Sequence, residues 1–247
     1  MMKNFFDDLI FPRKCIGCRE NFNILGANYD RTAVYCTKCR SEWERAKVLP
    51  CPNCRMAAIE CSCVPDLIDG IHVVSLFKFG AVREADRLVY SLKRKRLPRI
   101  FEFAANELAN RMISFCREKN LDVSNAVITH VPRRKSSVIK YGFDHGRALA
   151  EKLSEKLGLP FVELLDRRGR GREQKKLTVE KRFLNSSNRF ALLKNADIKE
   201  KTVIVVDDVI TTGATVAACA VALYDGEPEN IVVLCLAKST KLRKSKK

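Results

Sequence analysis

At 247 residues and 46% hydrophobic, the chain is long enough for one full α/β core with residues left over for a small accessory unit. Its formal charge of +17, from 46 basic and 29 acidic side chains, argues against an indifferent electrostatic surface and favours polyanionic partners, nucleic acid or phosphorylated molecules, without implying sequence specificity. A surface charged only for solubility is the plainer alternative. No run reaches the roughly 18 to 20 apolar residues that a bilayer crossing needs. The opening Met1-Met-Lys-Asn-Phe-Phe-Asp-Asp8 carries acid where an export signal would be apolar, so a cytoplasmic protein without membrane insertion is expected. In that reducing compartment the eleven cysteines read as metal ligands where they are paired, not as disulfides.

Along the chain, Cys15 and Cys18 form one close pair and Cys36 and Cys39 another, a spacing that places four thiolates around one Zn²⁺. Cys51, Cys54, Cys61 and Cys63 form a second, looser set, and Gly17 and Pro52 suit tight knuckle turns. With four thiolates at each site, no coordination position stays open for water or substrate, so the role expected for zinc is structural. Residues up to Val64 offer little apolar material, and metal ligation is expected to supply most of their folding free energy, on the order of 10 kcal/mol per site. Lys14, Arg19, Lys38 and Arg40 flank the knuckles and either reach phosphates or stay solvated. A domain border is expected near Val64-Pro-Asp66, giving a zinc-ribbon module over 1–66, an α/β domain over 67–240 and a basic tail over 241–247.

Gly70 to Phe79 is rich in β-branched and aromatic residues and reads as a strand. Phe101, Ala105, Leu108, Met112 and Phe115 recur at helical spacing. Ala126-Val-Ile-Thr129 reads as a short strand that halts at His130-Val-Pro132, and Leu149, Leu153 and Leu157 mark a helix closed by Gly158. Arg167 to Lys176, dense in positive charge and holding two glycines, reads as a loop able to close over an anion or as a plain solvated loop. Val203 to Val206, then a helix from Thr212 to Leu223, then Ile231 to Leu236 repeat the alternation, which predicts a parallel sheet flanked by helices. Cys116, Cys219 and Cys235 lie in apolar patterns and read as core packing. No internal repeat of fixed period is evident.

Two adjacent carboxylates, Asp207 and Asp208, follow the Val203 strand, where an open α/β sheet exposes its ligand crevice. Ionised, they accept from the two hydroxyls of a ribose diol or hold a divalent cation beside phosphate. Just beyond, Gly213 allows close backbone approach, and the hydroxyls of Thr211, Thr212 and Thr215 with the amides from Ala214 onward can encircle a phosphate. Arg133 and Arg134, after the second strand, either neutralise pyrophosphate or are ordinary surface arginines. His130 is read as ending its strand, not as a base.

The string Val203-Ile-Val-Val-Asp-Asp-Val-Ile-Thr-Thr-Gly-Ala-Thr215 resembles the phosphoribosyl-pyrophosphate signature of type I phosphoribosyltransferases. A cysteine-rich ribbon, then Leu92-Lys-Arg94, His130-Val-Pro-Arg-Arg134 and Tyr141-Gly-Phe-Asp-His-Gly146 in that order resemble the ComF family of competence-associated proteins, from about Cys15 to Lys238. The resemblance implies a phosphoribosyltransferase fold, bound zinc, and Mg²⁺ with phosphoribosyl pyrophosphate at Asp207, Asp208, Thr211, Thr212, Gly213, Ala214 and Thr215. It also implies a part in uptake of single-stranded DNA, beside a helicase-type protein, in natural transformation. Gly142-Phe-Asp-His145 departs from the family's usual Gly-Phe-Asn-Gln, which changes any polar contact made there and introduces a titratable ring. Two other readings stay open. One is a salvage or synthesis phosphoribosyltransferase, whose base-recognition hood would have to lie between Gly70 and Leu121; the other is a non-catalytic adaptor for single-stranded nucleic acid.

Overall fold

The computed structural model describes residues 12–23, 30–64, 70–94, 96–168 and 189–239. The expected border at residues 65 and 66, the basic tail, and the charged loop beyond residue 168 therefore lie outside the described residues.

Four strands, β1 (Ile71–Phe79), β2 (Val127–His130), β5 (Thr202–Ile210) and β6 (Asn230–Ser239), form a wholly parallel sheet in the order β1-β6-β5-β2. Continuous apolar runs such as Val203–Val206 and Ile231–Leu236 suit this arrangement, because a parallel sheet is covered on both faces. The helices are α1 (Thr37–Val48), α2 (Arg83–Arg94), α3 (Pro98–Lys119), α4 (Lys135–Tyr141), α5 (His145–Leu157) and α6 (Ala214–Tyr224). On one face, α3 and α5 pack Leu108, Met112, Leu149 and Leu153 against Ile128, Ile204 and Leu234. On the other, α6 covers Val203, Val205 and Val233, helped by a small antiparallel pair, β3 (Leu165–Arg167) and β4 (Phe190–Leu192).

Helix α3 starts at Pro98, three residues before its first periodic apolar position, since proline is favoured where the helix has no amide partner to lose. It stops at Asn120, which adopts the left-handed conformation. Strand β5 runs on through Asp207 and Asp208 to Ile210, so the two carboxylates stand within the strand and not after it. Helix α6 correspondingly begins at Ala214, behind Gly213 at φ 88°.

The cysteine-rich segment is less poor in core material than its composition suggests. Trp43 of α1 is fully buried, its ring 5.4 Å from both Phe77 of β1 and Phe103 of α3 and 5.9 Å from Tyr35. Its apolar residues Val34, Tyr35 and Ala46 join the same core cluster as the sheet. Metal is therefore not left to hold this segment alone, because burial of an indole against neighbouring rings adds substantial hydrophobic stabilisation.

Candidate functional site

Three stretches distant in sequence meet at Asp208. Its Oδ2 receives hydrogen bonds from Arg133 Nη2 and His145 Nε2, each at 2.8 Å, and lies 3.1 Å from Lys93 Nζ. Its Oδ1 accepts from the Val209 amide at 2.7 Å. Burial alone would raise the Asp208 carboxyl; the His145 hydrogen bond and the charges of Lys93 and Arg133 reverse this and hold it well below the ordinary carboxylate range.

Asp207 is in the opposite condition. Among the described residues it makes no ion pair; its Oδ1 accepts from the Asp208 amide at 2.8 Å. Burial first, and the neighbouring Asp208 charge second, push it up to about 7. The two adjacent carboxylates thus divide into one already committed to cations and one with acceptor capacity to spare.

Local structure explains these positions. Arg133 leaves the end of β2, and Arg134 caps the short helix α4 and is exposed. Asp144 caps α5, accepting from the amides of Gly146 and Arg147 at 2.9 and 3.1 Å, as an asparagine there could equally do. That cap turns His145, the first helical residue, inward, where it is 1% exposed. His130 is also buried, with Nε2 3.7 Å from Asp144 Oδ2, and burial outweighs that carboxylate to lower its pKa. Nδ1 of both histidines lacks a hydrogen-bond partner among the described residues.

Sequence reasoning did not single out Lys93, His145 or Arg189 as site residues, and it placed Arg167 at the start of a charged loop, whereas Arg167 ends strand β3. Lys93 and His145 stood inside noted motifs; only their meeting in space at Asp208 reveals their part. Arg167 donates to the Pro132 carbonyl at 3.1 Å and lies 5.2 Å from the Phe190 ring. Burial, then repulsion from Arg134, Arg189 and Arg133, lowers its pKa, so three further guanidiniums lie in its neighbourhood. Such a cluster suits a polyphosphate.

The predicted phosphate cradle lies at the start of α6. Thr211 is exposed, Thr212 and Thr215 are partly exposed, and Thr212 Oγ1 accepts from the Ala214 amide at 3.3 Å. The positive φ of Gly213 opens the helix with its first amides directed outward along the axis, where an anion is favoured.

Both cysteine sets come together as expected. The sulfurs of Cys15, Cys18, Cys36 and Cys39 lie within 4.8 Å of one another, as do those of Cys51, Cys54, Cys61 and Cys63, so each group could hold a metal ion. The two knuckles share one backbone pattern. Cys15 accepts from Arg19 and donates to Glu20, both at 2.9 Å, and Cys51 accepts from Arg55 at 2.9 Å and donates to Met56 at 2.8 Å. Arg19 and Arg55 both have positive φ, 72° and 66°. A side chain on Gly17 would place its Cβ 2.6 Å from Cys39 Sγ, so glycine is required by the approach of the second cysteine pair. Cys219 and Cys235 are fully buried in the core, and Cys116 packs against its edge.

Residues 144–247 match the family described as phosphoribosyl transferase domain. No curated protein matches the chain at a significant level. Among solved structures, the chain is similar to a purine phosphoribosyltransferase from Pyrococcus horikoshii, with 19% identity over 55% of this chain and 73% of that one and a TM-score of 0.35. It is also similar to the adenine phosphoribosyltransferase of Saccharomyces cerevisiae, with 21% identity, 58% and 70% coverage and a TM-score of 0.37. A hypoxanthine phosphoribosyltransferase from Trypanosoma cruzi gives 18% identity, 60% and 72% coverage and a TM-score of 0.38. None of the helices in the described residues is long and apolar enough to cross a membrane. The parallel sheet, its flanking helices and the matched segment together make a type I phosphoribosyltransferase fold, preceded by cysteine clusters that fit a zinc ribbon.

Proposed function

We propose that the chain is a ComF-like protein whose phosphoribosyltransferase-type domain binds phosphoribosyl pyrophosphate, or the phosphoribose of a nucleic acid, and that it supports uptake of single-stranded DNA in the cytoplasm beside a helicase-type partner. In this reading residues 1–66 form a zinc-ribbon module with structural Zn²⁺ at both clusters, 67–240 the binding domain, and 241–247 a basic tail. The observation that carries it is the convergence of Lys93, Arg133 and His145 on Asp208, one strand position from an unpaired Asp207 and a few residues before the start of α6.

Each part has its task. Asp208, held by Lys93, Arg133 and His145, fixes the geometry of the turn. Asp207 accepts the sugar hydroxyls and is the carboxylate with capacity to hold Mg²⁺. Thr211, Thr212, Gly213, Ala214 and Thr215 receive the 5-phosphate. Arg133 and Arg134, joined by Arg167 and Arg189, face the pyrophosphate. Mg²⁺ held there would supply positive charge to a pyrophosphate leaving group. The excess of guanidinium charge over Asp207 and Asp208 also suits the backbone of single-stranded DNA, whose binding then weakens steeply as salt rises.

The test is calorimetric titration with phosphoribosyl pyrophosphate and Mg²⁺, repeated on Asp207→Asn and on Arg133→Gln/Arg167→Gln. Binding is expected in the parent and its loss in both variants. Parental affinity in Asp207→Asn would place ligand capture elsewhere. Tight single-stranded DNA binding that survives Asp207→Asn, with no binding of the small ligand, would instead favour the adaptor.

A further inference from the structure

Lys78 of β1 and Lys238 of β6 are both buried and stand in register across the parallel pair. Lysine almost never occupies an interior without a partner, and two ammonium groups side by side repel one another. Among the described residues no carboxylate pairs with either. Their polar neighbours come from the second cysteine set. Lys238 Nζ donates to the Cys61 carbonyl oxygen, and the Lys78 ammonium lies near the sulfurs of Cys61 and Cys51.

The other cluster is arranged differently. Cys36 caps α1 and Cys39 lies in its first turn, so the positive end of a helix faces the sulfurs, and the Cys36 amide donates to Cys15 Sγ at 3.2 Å. Its flanking lysines, Lys14 and Lys38, are exposed. Among the described residues the Cys51 cluster has no ligand on a helix: its ligands lie on turns and irregular chain between residues 51 and 63. The two knuckles are alike in backbone, yet their charge environments differ.

We propose that Lys78 and Lys238 are the counter-ions of the Cys51, Cys54, Cys61 and Cys63 cluster, and that this cluster therefore takes a divalent ion on four thiolates. Four thiolates and a doubly charged ion leave two negative charges, which the two ammonium groups return to zero. A triply charged ion would leave one ammonium uncompensated. Charge balance also ties the cluster to the sheet, since bound metal is what allows β1 and β6 to close with both ammonium groups inside. The inference rests on reading both clusters as metal centres and goes beyond it by assigning lysines that are not ligands.

The experiment counts zinc per chain and measures the two dissociation constants by competition with a chromophoric chelator. The proteins are the parent, Lys78→Met, Lys238→Met, the double variant, and a Lys14→Met/Lys38→Met control beside the other cluster. The parent is expected to hold two zinc ions. In the double variant one of them is expected to weaken by about tenfold or more, the scale on which groups just outside the ligand shell act, with single variants between and the control unchanged. Added zinc should also raise the melting temperature of the double variant less than that of the parent, whereas a merely structural lysine would lower both temperatures alike. Methionine fills nearly the same volume, and the single variants give the same reading should the double variant not fold. Two zinc ions with parental dissociation constants in every variant would overturn the inference while leaving both metal centres standing. Fewer than two in the parent would remove the metal reading itself, and the inference with it.

Discussion

Nε2 of His145 lies 2.8 Å from Oδ2 of Asp208, joining the first residue of α5 to the carboxyl end of β5 across 63 positions of the chain. The contact is buried on both sides, so the histidine is part of the support that fixes the turn before α6. His145→Leu leaves the Asp208 carboxylate one partner short in a place water does not reach. It should cost about 1–3 kcal/mol in urea denaturation. His145→Gln restores a donor of similar reach and should recover most of that loss; equal destabilisation by Gln and Leu would show that the hydrogen bond is not what matters.

Asp207 makes a pH prediction of opposite sign to that of an ordinary stabilising carboxylate. Its folded pKa, about 7, lies above the usual 3.8, so the folded chain keeps a proton that the unfolded chain has released. Stability from this group therefore falls as pH rises from about 4 to about 7 and stays low above that. Asp207→Asn removes the penalty. The variant should melt at the parental temperature near pH 4 and a few degrees higher at pH 8, on the order of 1 kcal/mol or more. A difference that is constant across this range would contradict the assignment.

Trp43 predicts how the cysteine-rich segment and the sheet respond to damage. Replacing a fully buried indole that touches Tyr35, Phe77 and Phe103 with alanine should cost about 3–5 kcal/mol. Because those rings belong to both the segment and the sheet, the two should still unfold in one transition when followed by far-ultraviolet circular dichroism and by zinc release. Loss of zinc well before loss of the sheet signal would mean that the indole does not couple them.

The long apolar strands and the periodic helices were legible in the sequence because each repeats one period over many residues: Val203–Val206, Ile231–Leu236 and the Phe101 to Phe115 face all lie where that pattern predicts. Strands β3 and β4 were not, since three-residue strands carry no readable period, and neither were α1 and α4. Helix α1 holds only three buried residues, Cys39, Trp43 and Ala46, and its apolar face becomes intelligible only against Phe77 and Phe103. The acid pair was visible as a motif, whereas the unequal fates of Asp207 and Asp208 depend on where Lys93, Arg133 and His145 arrive in space. The shared knuckle pattern was hidden for a similar reason. It is written in backbone hydrogen bonds and in the φ of Arg19 and Arg55, not in side-chain identity.

The strand order has a kinetic consequence. Strand β6, the last of the four in sequence order, is central, and it joins β1 in register from Ile71 with Ile231 to Phe79 with Ser239. Until it emerges from the ribosome, β1 has no neighbour and β5 has only β2, and the sheet cannot close. Contacts this distant in sequence slow folding, and unpaired strand edges invite association with other chains while they wait. The nascent polypeptide thus passes through a long interval with two of the sheet's three strand pairings missing, and the last of its β-strands acts as the keystone whose arrival completes it.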